Sequence, residues 1–158
     1  MKLTRIAVLA AASAAAAFAQ LPTTKVLTVD VAQAIAQEAM MKCRADGYHV
    51  TVRVVDSGNF VKALLRDDGA GLATIDVARM KANTVIWQNR PSGPPANLAP
   101  GAPIPPPVIP GTINAMGGVP IKVDNMTIGA VAVSGAPGGD KDAACANAAL
   151  MKVADKLR

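Results

Sequence analysis

The sequence contains one imidazole, His49, and little else that could act with it as a catalytic set. It lacks the nucleophile, metalloprotease and phosphate-binding signatures G-x-S-x-G, H-E-x-x-H and Walker A. An imidazole can also bind a metal through one ring nitrogen, so His49 is a candidate metal ligand. The adjacent Tyr48, whose phenolate can bind ferric iron, is the second candidate. A lone histidine before a strand is more often an ordinary, partly exposed side chain, and this alternative stays open.

Several charged residues lie beside predicted turns. Asp56 ends a predicted strand next to a glycine turn, and Arg66 and Asp68 flank the next turn. We expect these charges to converge at one end of the sheet. An arginine–carboxylate pair there would either clamp a ligand carboxylate or hold the loops in place. Asp76 and Arg79 are three residues apart on a predicted helix, a spacing that favours an ion pair.

The first nineteen residues have the pattern of a secretory signal peptide. Two positive charges precede the apolar run 6–18, and small residues at Ala17 and Ala19 form an A-x-A cleavage site before Gln20. The run is shorter than the roughly 20 residues that span a bilayer. We therefore expect residues 1–19 to be removed on export to the periplasm or outside the cell, with no membrane attachment afterwards.

Two cysteines, Cys43 and Cys145, follow the predicted cleavage site. An even number of cysteines in an oxidising compartment favours a disulfide. The alternative is two small buried residues on separate helices. Neither cysteine has a C-x-x-C partner, so a zinc site and covalent attachment of a c-type haem are both excluded.

Length and charge narrow the class of protein further. A chain of 158 residues favours one domain, here residues 20–158. The net charge of +5 includes Lys2 and Arg5. Removal of residues 1–19 leaves 14 basic and 11 acidic residues, a balance typical of an ordinary soluble surface. With no basic block in the sequence, nucleic acid is not an expected partner.

Periodicity and turn residues predict the elements that position these side chains. Helical spacing predicts helices over about 28–45, 72–87 and 140–157, and alternation predicts hairpins over 50–66 and 121–133. Nine of the 12 prolines lie between residues 91 and 110, which predicts a long loop over 90–111 within the domain. A short strand near 108–113 is possible from the pattern. The order is typical of an α+β domain with a mainly antiparallel sheet.

Several blocks, taken together and in order, resemble the GlcG/HbpS family of small haem-binding or haem-associated proteins, which is also found as the C-terminal domain of PduO-type corrinoid proteins. The resemblance extends from about residue 27 to residue 157. The blocks are Val54-Val55-Asp56-Ser57-Gly58, Arg66-Asp67-Asp68-Gly69-Ala70, Ile75-Asp76-Val77-Ala78 with Lys81-Ala82, Gly117-Gly118-Val119-Pro120-Ile121, Ile128-Gly129-Ala130, Val133-Ser134-Gly135 and Asp142-Ala143-Ala144-Cys145-Ala146.

The resemblance implies a five-stranded antiparallel sheet flanked by helices, in the order α-β(2)-α(2)-β(3)-α. It also implies assembly into homo-oligomers and, in some members, binding of haem, iron or corrinoid. It does not imply a settled enzyme activity.

On this resemblance, the leading hypothesis is an exported, non-catalytic protein that binds haem or a related tetrapyrrole. His49 would bind the iron, with Tyr48 next. The cofactor-binding candidates are His49, Tyr48, Arg66, Asp68, Arg79 and Lys81, the cations serving the propionates. The alternative hypothesis is a small-molecule enzyme, or an accessory subunit of a periplasmic oxidoreductase, with a carboxylate pocket between Arg66/Asp68 and the proline-rich loop.

Overall fold

The structure is a computed structural model and describes residues 23–95, 97–107 and 109–158. These residues form three α-helices and four β-strands. In chain order they are α1 (Val29–Ala45), β1 (Thr51–Asp56), β2 (Val61–Arg66), α2 (Thr74–Gln88), β3 (Gly118–Val123), β4 (Met126–Ser134) and α3 (Gly139–Lys152), followed by a short 3-10 helix (Ala154–Lys156).

The four strands form one antiparallel sheet in the order β2-β1-β4-β3. Two local hairpins, β1–β2 and β3–β4, are joined by the central pairing of β1 with β4. Side chains on one face, such as Val52 and Val133, pack with buried residues of α1 and α3 in the larger core. On the other face, Val55 and Ala132 pack with Ala82 of α2 and its neighbours. The sheet is therefore the middle of three layers.

Local sequence explains where the elements begin and end. The hydroxyl of Thr28 accepts a hydrogen bond from the Val31 N–H at 3.4 Å and caps α1. Asp124 and Asn125 both have positive φ, at 48° and 65°, which suits the tight turn between β3 and β4. Asp56 accepts hydrogen bonds from the N–H groups of Gly58 and Phe60, each at 3.0 Å, and so shapes the β1–β2 turn.

The predicted helices and hairpins are confirmed, as is the α+β class with its antiparallel sheet. The fifth strand implied by the family resemblance is not confirmed, because the described residues form four strands with one α-helix between β2 and β3. Residues 109–113 form a turn and not a strand, while Val108 lies outside the described residues. The predicted signal peptide also lies outside them.

Residues 89–117, which include the proline-rich loop, connect α2 to β3, and both ends of the loop are fixed by hydrogen bonds. Ser92 donates to the Ala115 carbonyl at 2.6 Å and accepts from the Gly118 N–H at 2.7 Å. Thr84 of α2 donates to the Ile113 carbonyl at 2.9 Å. The loop is therefore anchored to α2 and to the β3 edge of the sheet.

Within the described ranges, no helix combines the length and apolar content required to cross a membrane.

Candidate functional site

His49 lies in a cluster of charged residues at the open end of the β1–β2 hairpin. Its Nδ1 atom is 3.2 Å from Oδ2 of Asp67, whose side chain is only 5% exposed. Arg44, in the last turn of α1, donates two hydrogen bonds to the same carboxylate, from Nε at 3.1 Å and from Nη2 at 2.7 Å. The Asp68 N–H donates a further one at 2.9 Å. We call Arg44, His49 and Asp67 the histidine cluster.

The electrostatics of the histidine cluster determine the tautomer of His49. The hydrogen bonds from Arg44 hold the pKa of Asp67 well below its usual range, against the opposing effect of burial, and the His49 bond acts in the same direction. The same contact raises the pKa of Arg44. An ionised carboxylate only accepts hydrogen bonds, so the His49 proton resides on Nδ1. In the neutral imidazole this leaves the Nε2 lone pair for a ligand.

The hairpin topology explains why these residues meet. His49 precedes β1 and Asp67 follows β2, and antiparallel pairing brings these two chain positions together. The Asp67 N–H donates to the Val50 carbonyl at 2.9 Å, which fixes the carboxylate beside His49. Gly69 lies against the imidazole: a Cβ atom at this position would be 2.7 Å from His49 Cγ. Although the ring is supported on this side, 62% of the side chain is exposed.

A groove between α1 and β2 adjoins the histidine cluster through Arg44. Its volume is about 330 Å³. It is lined by Gln37, Met40, Met41, Arg44, Leu65 and Arg66. Two thioethers and a leucine give it an apolar floor, and Arg44 provides a cation at its border. This α1–β2 groove has the chemistry that suits a flat apolar ligand with anionic substituents.

Tyr48, the second predicted iron ligand, is half-buried and packs against the larger core. The Lys141 ammonium lies 5.5 Å from the centroid of its ring, within the range of a cation–π contact.

The predicted convergence of Asp56 with Arg66 and Asp68 is wrong. Asp56 lies at the turn end of the β1–β2 hairpin, where Lys62 is 3.6 Å away. Arg66 pairs with Thr51 at the open end and donates to the Ala70 carbonyl, while Asp68 is exposed nearby. In an antiparallel hairpin the ends of successive strands lie at opposite ends of the ladder. The three residues therefore cannot form one clamp.

Lys81 and Arg79 lie on α2, across the sheet from α1. Lys81 is only 3% exposed, and its ammonium donates to Asp142 Oδ2 at 2.7 Å and to the Val133 carbonyl at 2.9 Å. This placement argues against the predicted propionate contact, because the ammonium is enclosed and already paired. Burial raises the pKa of Asp142, and the Lys81 bond opposes that shift. The predicted pair of Arg79 with Asp76 is confirmed at 2.8 Å.

The carboxylate pocket of the alternative hypothesis is not assembled either. Arg66 lies on β2, at one edge of the sheet, whereas the ends of the proline-rich loop are anchored at α2 and at β3, the opposite edge. The structure does not bring Arg66 and these anchored ends together.

Sequence reasoning missed Asp67 and Arg44. Asp67 and Asp68 are adjacent and chemically identical, and the sequence does not show that Asp67, whose N–H bonds to the Val50 carbonyl, is the one with a buried carboxylate. Arg44 could have been considered as a partner of this site from the sequence, because it is a basic residue in the last turn of α1 and lies only five positions before His49. Among the described residues, no group of three or more histidine, cysteine or acidic side chains is arranged to hold a metal ion.

Comparison with known proteins gives a consistent result. A family model described as "Haem degrading protein HbpS-like" matches residues 27–151. A crystal structure of HbpS is 32% identical with a TM-score of 0.72, and the match covers 88% of this chain and 98% of that one. A double mutant of HbpS from Streptomyces reticuli is 34% identical, also with a TM-score of 0.72, over 91% of this chain and 98% of that one.

A more distant structure shares the fold. It is the PduOC:heme complex, 20% identical with a TM-score of 0.67, and the match covers 80% of this chain and 94% of that one. A search of curated proteins finds no significant match.

Proposed function

The chain belongs to the HbpS-like family, and on that premise we propose that it binds haem, with His49 Nε2 as the iron ligand. The observation that carries the proposal is the 3.2 Å contact between His49 Nδ1 and Asp67 Oδ2. Histidines that bind metals commonly donate their second ring N–H to a carboxylate, which fixes the tautomer and makes the free nitrogen a better donor. The histidine cluster has this arrangement.

Residues near His49 also suit the macrocycle and the propionates of haem. The α1–β2 groove offers Met40, Met41 and Leu65 to the macrocycle. Arg44 borders the groove and would serve a propionate. Of the predicted propionate contacts, this leaves out the enclosed Lys81 and also Arg66, whose pairing with Thr51 points its side chain to the α2 side of the sheet. Bound haem would supply an iron centre for ligand binding or redox chemistry. Asp67 would orient the His49 imidazole and Arg44 would keep Asp67 ionised.

The comparisons support this proposal indirectly. The matching family is described as haem degrading, and the PduOC structure is described as a complex with heme. Those descriptions concern other proteins, and for this chain the specific ligand is our proposal.

Titration of the purified protein with haemin, followed by the Soret band, tests the proposal. We expect saturable uptake by the wild type and loss or a shift of the band in His49→Ala. Tyr48→Phe is the matched control at the adjacent candidate, and it should leave the band unchanged. A wild type without saturable uptake would contradict the haem proposal. An unchanged band in His49→Ala would contradict the assignment of His49.

Export is part of the proposal, on the strength of the signal-peptide pattern in residues 1–19. We expect the exported protein, periplasmic or secreted, to begin at Gln20. The intact mass of that fraction measures this directly. A mass that still includes Met1 would contradict cleavage.

A homo-oligomer is the third part, and an exposed apolar surface on β2 supports it. Val61 and Leu64 are paired with Val55 and Arg53 of β1, so they point to the α2 side of the sheet, yet they are 47% and 43% exposed. Phe60, just before β2, is 74% exposed. Light scattering should report an oligomer that Leu64→Lys dissociates. A monomeric wild type would overturn this part.

A further inference from the structure

A second cavity lies where the start of α1 meets the β3–β4 hairpin and the C-terminal residues. Its volume is about 280 Å³. It is lined by the segment 25–28, by Val31 of α1, by Val123 and Ile128 of the hairpin, and by residues 156–158. We call it the α1–β3 cavity. Among the described residues, it shares no lining residue with the α1–β2 groove, so the two are separate sites.

The floor of the α1–β3 cavity is aliphatic and continues into the larger core. Leu27, Val123 and Ile128 are only 3%, 5% and 5% exposed and belong to that core. Val31 and Leu157 are half-buried and pack against it. An alkyl chain suits such a floor, because the burial of methylene groups is favourable and leaves no polar group of the ligand without a partner.

Three cations border the same cavity, Lys25, Lys156 and Arg158, and none of its described lining residues is acidic. The Lys25 ammonium lies 2.7 Å from Asp124 Oδ2, but the two side chains are 47% and 76% exposed, so this surface pair is weak. Lys156 is exposed, and within the described part of the chain no carboxylate lies within 4.0 Å of its ammonium. The border of the cavity is therefore positive and accessible from solvent.

We propose that the α1–β3 cavity binds a small amphipathic carboxylate, a fatty acid of medium chain length. Its alkyl chain lies on the aliphatic floor and its carboxylate at Lys25 and Lys156. Charge complementarity selects the anionic head, because an uncharged ligand would use the floor but not the cations. The volume of about 280 Å³ is just below the range of roughly 300–1,000 Å³ for pockets of drug-sized ligands, which favours a single short chain. The site is independent of haem and of His49.

Isothermal titration with sodium octanoate, below the concentration at which it forms micelles, tests the site, with 1-octanol as the uncharged probe. The wild type should bind octanoate about fivefold more tightly than octanol, the upper range for an exposed ion pair. Hexanoate should bind about 16-fold more weakly than octanoate, because each buried methylene contributes about fourfold. Lys156→Glu should weaken octanoate binding by about tenfold, since it removes an attraction and adds a repulsion. Lys141→Glu, at an exposed lysine near the start of α3, is the matched control and should bind normally.

Asp124→Asn should act in the opposite direction and bind octanoate about two- to fivefold more tightly. It frees Lys25 from its competing carboxylate, and asparagine tolerates the positive φ of 48° at this turn. Val31→Phe should lose octanoate binding, because the larger side chain occupies the cavity.

The haem site and a membrane surface are distinguished by separate measurements. His49→Ala should keep its affinity for octanoate, and octanoate should not displace haemin from the wild type. Equal affinity for octanoate and octanol, or wild-type affinity in Lys156→Glu, would refute the site. Sedimentation of the wild type, but not of Val31→Phe, with vesicles of phosphatidylglycerol would assign the cavity to a lipid surface and overturn the free fatty acid as its ligand.

Discussion

The ammonium of Lys81 and the carboxylate of Asp142 lie 2.7 Å apart with side chains only 3% and 4% exposed, and they join the two helical layers of the protein. Lys81 belongs to α2 on one face of the sheet and Asp142 to α3 on the other. Both also bind backbone near the end of β4, Lys81 at the Val133 carbonyl and Asp142 at the Ala136 N–H. Gly117, with φ at 123°, packs directly against the pair.

Lys81→Met should destabilise the protein strongly, because it leaves the Asp142 carboxylate buried without its cation. The free energy of unfolding should fall by about 3–5 kcal/mol, as for other broken buried pairs. Burial already raises the folded-state pKa of Asp142, and loss of the Lys81 ammonium raises it further, so the stability of the variant should decrease with rising pH more than that of the wild type. Urea unfolding at several pH values measures both effects. Lys122→Met is the surface control, and a loss of similar size there would contradict the explanation.

Asp67 should contribute to stability that is lost in acid. Its folded-state pKa is depressed below the ordinary value of 3.8, so its contribution is present above that value and disappears as the pH falls below it. Asp67→Asn should therefore show a smaller decrease in stability than the wild type over this acidic range. Asp68→Asn, at the exposed neighbour, is the control. Parallel pH curves for the wild type and Asp67→Asn would show that the histidine cluster does not contribute in this way.

Gly69→Ala should impair haem uptake without removing His49. The added methyl group would lie 2.7 Å from the Cγ atom of the imidazole, and the exposed ring would turn away from Asp67 to relieve the contact. We expect haemin affinity to fall by about tenfold or more, the range for loss of an outer-shell partner. Gly71→Ala is a matched control, since its nearest new contact is Thr74 Cγ2 at 4.0 Å. Equal affinity in the two variants would contradict a positioning role for this contact.

Cys43 and Cys145 are joined in the structure, with 5.5 Å between their Cα atoms, and they link α1 to α3 on one side of the sheet. The two cysteines are 102 positions apart in the sequence, so the disulfide closes a long loop. The double variant Cys43→Ala/Cys145→Ala should therefore lower the free energy of unfolding by about 4–5 kcal/mol on the chain-entropy estimate. Denaturation with and without reductant measures the loss. Thiol titration of the unfolded, unreduced protein should find no free thiols, and two per chain would contradict the disulfide.

The elements could be predicted because their signals are local. The Thr28 cap, the apolar spacing of α1 and the Asp124-Asn125 turn each act within a few residues. The site residues depend on long-range pairing, so Asp67 was missed. Lys81 and Asp142 carried a usable signal: each lies among apolar helix residues that become buried, which favours a buried pair of opposite charge. Which buried lysine pairs with which buried aspartate on the two helices still depends on the order of the strands in the sheet.

The central pairing of β1 with β4 has a consequence for how the chain folds. Its partners, from Thr51 with Ser134 to Asp56 with Gly129, are separated along the chain by β2, α2, the proline-rich loop and β3. Closure of this long segment loses chain entropy before the central ladder can form, whereas each hairpin closes over a short turn. The hairpins should therefore form early and their docking should limit the folding rate. Because closure entropy grows only logarithmically, doubling the segment would cost about 0.6 kcal/mol. Its length can thus vary widely at little cost to the sheet.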